Sequence, residues 1–163
     1  MSISVLGISP NPTIQATHLS TPPNVNTDVT IFTGVIECAF KGGSSGVTDA
    51  AGVTRDTLSF NILDPNNEET DLRIDIGSFF GASGTVSLTS FAYDGVVNNA
   101  LWAVDDTSVA LTNLDRGTGT ANVQVVANLA VRGANGIVLR VSYTVFVRTT
   151  SGAIIVFLPP PGG

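Results

Sequence analysis

The sequence predicts an all-β protein, a single antiparallel β-sandwich of jelly-roll-like form, with roughly eight to ten strands and extended N- and C-terminal segments. Three observations point there. Apolar residues alternate with others at a period of two over much of the chain, which puts successive side chains on opposite faces of a sheet. Turn signals rich in Gly, Pro, Asn and Asp recur at short intervals. No segment sustains the period of about 3.6 that an amphipathic helix needs.

The elements follow in order. Residues 1–26 read as an N-terminal arm, 27–150 as the β-sandwich domain, and 151–163 as a C-terminal strand with a Pro/Gly tail. In the arm, residues 2–8 and 13–19 each suit a strand. Pro10, Pro12, Pro22 and Pro23 confine them to edges and turns, because proline has no N–H to give a ladder. Residues 27–40 form a long strand with Val29, Ile31, Val35 and Ala39 on one face and Phe32, Ile36, Cys38 and Phe40 on the other. Apolar residues on both faces mark a strand covered on both sides. KGGSSGVTDAAG, 41–52, is a loop.

Residues 57–63 point Leu58, Phe60 and Ile62 inward, and DPNNEETD, 64–71, follows as a polar loop. Leu72, Ile74 and Ile76 then face inward, with Arg73 and Asp75 outward. Residues 85–93 set Val86, Leu88 and Ala92 against Phe91 and Tyr93. Residues 98–104 suit either a short strand or one helical turn, and 108–114 are a strand that ends in the turn DRGTGT. The longest alternation comes next. Val123, Val125, Ala127, Leu129 and Val131 share a face, and after residues 133–136 the pattern resumes with Ile137, Leu139, Val141, Tyr143, Val145 and Val147. This predicts a long antiparallel hairpin, with Val125, Leu129, Leu139, Val141 and Val145 on one buried face. AIIVFL, 153–158, is the last strand and precedes PPPGG.

Composition narrows the function. The chain is 43% hydrophobic and 12% charged, about half the usual charged share of about 25%. Lys41 is its one lysine; Thr, Ser, Asn and Gly take the place of charge. Two readings stand side by side. Thr and Ser suit the outer face of strands. Alternatively, neighbouring subunits cover that face, since interface cores are poor in Lys, Glu and Asp. A net charge of −6 and scattered arginines argue against nucleic acid and anionic membranes. No apolar run approaches the roughly 20 residues of a membrane helix, so membrane insertion is not expected. The opening MSISVLGISPNP shows no classical signal peptide. The location expected is a virion, or an extracellular or cell surface.

Catalytic chemistry is scarce, and the chain reads as a non-enzyme. A nucleophilic triad would have to use His18, the one histidine, which sits in the arm, where geometry is held poorly. Cys38 lies in an apolar strand and reads as a small buried hydrophobe, with an intermolecular disulfide as the other reading. One His and one Cys cannot make a zinc site, and no phosphate loop is present. Asp105 and Asp106 beside Trp102 are the best carboxylate pair for sugar chemistry, against a core tryptophan before a turn.

Calcium is the one cofactor with a candidate site. Asp64, Asn66, Glu68 and Asp71 bring hard oxygens into one short loop, although the EF-hand pattern is absent and a solvated acidic turn is the other reading. No cofactor is required by this reading. The residues expected to carry assembly are Ile154, Ile155, Val156, Phe157 and Leu158. An apolar strand of this kind must be covered, within its own sheet or by a neighbour. The function expected is a structural subunit that self-assembles into a homo-oligomer or polymer through terminal strand exchange: a virion shell, a decoration or tail part, or an extracellular filament. The alternative is a calcium-assisted carbohydrate-binding or adhesion module that uses Trp102, Tyr93 and the acidic residues near them.

Overall fold

The computed structural model describes residues 2–10, 14–21, 25–41, 47–48, 50, 52–64, 67–93, 101–132, 137–150 and 155–156. The strands are β1 (Ser2–Pro10), β2 (Ile14–Thr21), β3 (Val25–Lys41), β4 (Val47–Thr48), β5 (Val53–Asn61), β6 (Leu63–Asp64), β7 (Asn67–Asp71), β8 (Arg73–Asp75), β9 (Phe79–Tyr93), β10 (Leu101–Asp115), β11 (Thr120–Arg132), β12 (Ile137–Thr150) and β13 (Ile155–Val156). The one helical piece among the described residues is a 3-10 turn, Ile76–Ser78. All strand pairs are antiparallel.

In the first sheet the order is β1, β3, β12, β9, with β2 also pairing β3. β1 lies along residues 34–41 of β3 and β2 along residues 25–31, so the N-terminal segment borders this sheet. In the second sheet the order is β13, β8, β11, β5, β4, with β10 pairing β11. β5 and β8 follow one another along β11. Between them the chain leaves as the small β6–β7 hairpin.

The hairpin expected from residues 123–147 does not form. β11 pairs with β10, β5 and β8, whereas β12 pairs with β3 and β9 in the other sheet. The hairpin turn lies earlier, at Asp115. Its Oδ1 accepts the N–H groups of Gly117 at 2.8 Å and Thr118 at 3.3 Å, and Gly119 takes φ +70. A side chain that mimics a backbone turn, followed by a glycine in the left-handed region, closes β10 onto β11. Leu101 opens β10 as a strand, which settles the ambiguous 98–104 region from that residue on. Ile76, expected inward with Leu72 and Ile74, falls in the 3-10 turn and is half-buried.

One hydrophobic core draws on both sheets. Phe32, Ile36, Cys38, Leu139, Val141, Tyr143, Val145 and Val147 come from the first, and Leu58, Phe60, Ile74, Val123, Val125, Ala127, Leu129 and Val131 from the second. All five residues expected on one buried face are 3% exposed or less, though they belong to two sheets. Phe60 and Tyr143 meet across the core with ring centroids 5.3 Å apart. Tyr143 sits opposite Gly34 in the β3–β12 register. A Cβ at Gly34 would come within 2.5 Å of the Tyr143 hydroxyl, so glycine is what lets the ring lie there.

The other face of β3 is less covered than its apolar residues imply. Of the four apolar residues expected there, Val29, Ile31 and Val35 are half-buried and only Ala39 is buried. Around them, Leu6, Phe80 and Phe146 are among the exposed large apolar residues.

Candidate functional site

Two regions carry the residues singled out by sequence. The first is the C-terminal strand. From β12 the chain passes to the second sheet, where Ile155 pairs with Ile74 and Val156 with Arg73. β13 is therefore a border strand fastened by two residue pairs among the described residues. Ile154, Phe157 and Leu158 lie outside the described residues.

The second region is the β6–β7 hairpin. Asp64 pairs with Asn67 and Leu63 with Asp71. Asn66 lies outside the described residues, as do the side chains of Asp64 and Glu68. Asp71 is described in full. Its Oδ2 accepts the side-chain amides of Asn61 at 2.6 Å and Asn122 at 2.7 Å. Asn122 is 4% exposed although it points away from the core, because this network covers it. Its Oδ1 accepts Arg73 Nε at 3.1 Å, and Arg73 Nη1 lies 3.8 Å from Asp115 Oδ2. The Thr118 hydroxyl, then the Gly117 and Thr118 N–H groups, hold the Asp115 carboxyl below its usual range, with Arg73 adding to them.

Asn61 Oδ1 is buried and has no hydrogen-bond partner among the described residues. A buried amide oxygen beside a carboxylate is the donor chemistry that calcium takes. Among the described residues, however, no three His, Cys, Asp or Glu side chains come together as metal ligands.

The carboxylates near Trp102 are separated by a register shift between Val104 and Asp106. Asp105 is the extra residue there, and its Oδ2 accepts Arg55 Nε at 3.1 Å. Asp106 Oδ1 accepts the Thr107 N–H at 2.8 Å. Trp102 pairs in register with Val131, and Tyr93 with Ile137; both side chains lie outside the described residues, as does that of His18 on β2. Cys38 is fully buried, and burial, with the Glu37 charge adding to it, pushes its thiol up to about 11. It stays protonated near neutral pH and packs as a small apolar residue.

Sequence reading missed one surface feature. A register shift between Val5 and Gly7 makes Leu6 an extra residue in β1. Beside it opens a shallow cleft of about 460 Å³ lined by Leu6, Gly7, Ser9, Val35, Glu37 and Arg140. Arg140 Nε donates to Glu37 Oε2 at 2.8 Å within it. These two residues are 103 positions apart, so no local pattern could have joined them. No family profile, characterised protein or solved structure was found to match this chain.

Proposed function

We propose that this protein is a non-enzymatic structural subunit whose copies join through terminal strand exchange into a repeating surface assembly, on a virion or an extracellular or cell surface. Its two sheets form an open, jelly-roll-like sandwich in this reading. The nested pairing of β3 with β12 and of β5 with β11 supports that form. The observation that carries the functional reading is the C-terminal strand. It is apolar throughout 153–158, and among the described residues it borders the second sheet through the pairs Ile155↔Ile74 and Val156↔Arg73. An apolar strand at a sheet border is a template for pairing with another copy. The half-covered outer face of β3 and the 12% charged share add to the argument, because close neighbours leave little room for charge. Nucleic acid and membrane insertion play no part in the reading.

The test is deletion of residues 153–163. The shortened chain keeps its β circular-dichroism spectrum but runs as a single chain at micromolar concentration, where the full chain forms larger particles. A full chain that is itself a clean monomer at that concentration refutes assembly.

The second reading, a calcium-assisted carbohydrate-binding or adhesion module, is favoured by Asn61 Oδ1, which lies beside Asp71 and has no hydrogen-bond partner among the described residues. Asp64, Asn66, Glu68 and Asp71 would supply the ligands.

A further inference from the structure

The borders of the two sheets are guarded to different degrees. Native edge strands avoid unwanted pairing through prolines, charges, bulges or short length. On one side of the first sheet, β1 carries a register shift at Leu6 and ends on Pro10, and β2 beside it carries a register shift between Ala16 and Leu19. On one side of the second sheet, β4 and β13 have two residues each. On its other side, β10 carries Asp105 at a register shift, Asp106 beside it, and a second shift between Thr112 and Asp115. The remaining border is β9. Its fifteen residues, FFGASGTVSLTSFAY, include no charge and no proline. Register shifts fall near its two ends, at Phe80 and Thr89. Between them, residues 81–88 keep an unbroken ladder to β12, from Arg148↔Gly81 to Val141↔Leu88.

No described strand pairs with the other side of β9. β10 does not fill that place. Its Val109 lies 2.9 Å from where a Cβ at Gly84 would stand, and Gly84 is opposite the buried Val145. Val109 therefore meets β9 from the core side, and among the described residues no strand lies along its lateral side. Ser83, Thr85 and Ser87 are exposed along this stretch, and Phe80 at its end is 53% exposed.

The apolar AIIVFL at 153–158 likewise carries no charge and no proline. We propose that residues 153–158 of a second copy add as a further strand to the lateral side of β9, at residues 81–88. This rests on the assembly reading and names its donor and acceptor. Main-chain hydrogen bonds supply the affinity, since the acceptor edge offers N–H and C=O groups that no described strand pairs. Alternate donor side chains fall on opposite faces of the extended sheet, one set over the core rim and the other toward exposed Phe80. To join a second copy the donor leaves β8, giving up the Ile155↔Ile74 and Val156↔Arg73 pairs in its own chain.

Two experiments on the full chain test this. In the first, Ser83→Lys and Thr85→Lys place guards on the lateral side of β9. Both positions are exposed, so the fold and melting temperature are retained while particles give way to the 16.8 kDa single chain. Ala110→Lys, on exposed β10, leaves the particles intact. In the second, a Thr85→Cys preparation is mixed with a Val156→Cys preparation under mild oxidation. A disulfide-linked dimer of one chain of each kind is expected, with buried Cys38 unreacted. The proposal is overturned if the doubly guarded chain assembles as before, or if Val156→Cys cross-links to Arg73→Cys and not to Thr85→Cys. In those cases loss of particles on deleting 153–163 still upholds assembly through the tail. If that deletion also leaves the particles unchanged, the assembly reading itself falls.

Discussion

Replacing Tyr143 by phenylalanine isolates one buried oxygen. Tyr143 is 1% exposed, packs on Phe60 and Gly34, and its hydroxyl has no hydrogen-bond partner among the described residues. A buried hydroxyl left unpaired costs about 1–3 kcal/mol, while the small void left by its removal costs less than about 1 kcal/mol. Tyr143→Phe is therefore expected to raise stability at pH 7 by roughly 0.5–2 kcal/mol. The alkaline limb adds a second reading. Burial pushes the Tyr143 phenol up from 10.0 to about 12. The folded state then holds its proton where the unfolded state has lost it. Stability is complete below pH 10 and falls as pH rises toward 12, by roughly 3 kcal/mol at about 1.4 kcal/mol per decade. Phenylalanine has no such proton, so the variant lacks this part of the fall. Cys38, raised to about 11, contributes its own loss above pH 9 in both chains and cancels in the comparison. Urea denaturation at pH 7, 9 and 12 measures each term. A variant less stable than the parent at pH 7 would mean that the hydroxyl has a partner. Parallel losses in both chains between pH 10 and 12 would mean that the phenol ionises as freely folded as unfolded.

Two further outcomes check the core and the hairpin. Leu139→Ala is expected to cost roughly 2–5 kcal/mol in urea denaturation, because Leu139 is 3% exposed among β3, β9 and β12; a cost below about 0.5 kcal/mol would turn that face to solvent. Millimolar calcium is expected to raise the melting temperature and a chelator to return it, by mass action on the folded state, with Asp71→Ala removing the response; superimposable melting curves dismiss the calcium reading.

The faces of the strands were legible in the sequence, and their partners were not. Val123, Val125, Ala127, Leu129 and Val131 alternate and are all buried. Alternation states which side of a strand meets the core, but it carries no address for the neighbouring strand. Residues 133–136 and the turn after Asp115 both look like hairpin loops, yet only the second joins two strands of one sheet. What separates them is Asp115, whose carboxylate organises the turn through two N–H groups. The site followed the same rule. Asp71 stood out as an oxygen ligand, but what holds it is Asn61, 10 residues away, and Asn122, 51 residues away. The uncharged stretch of β9 was plainly visible, but its meaning depends on its being a border, which only the sheet order reveals.

The scarcity of charge has a structural counterpart in how the outer faces satisfy themselves. Ser87 and Ser142 hydroxyls lie 2.9 Å apart across β9 and β12, and the Thr57 hydroxyl donates to Asn128 Oδ1 at 2.9 Å across β5 and β11. Short polar side chains paired in this way make a flat face with few long, hydrated groups to displace. The arginines are treated similarly. Arg140 is paired with Glu37, Arg55 with Asp105 and Arg73 with Asp115. Exposed pairs of this kind add little stability, about 0–1 kcal/mol each. Their larger effect is to neutralise charge locally, while the chain as a whole keeps a net charge of −6. Faces built from short polar side chains leave few long hydrated groups to strip on close approach, which is what the proposed assembly of copies would require.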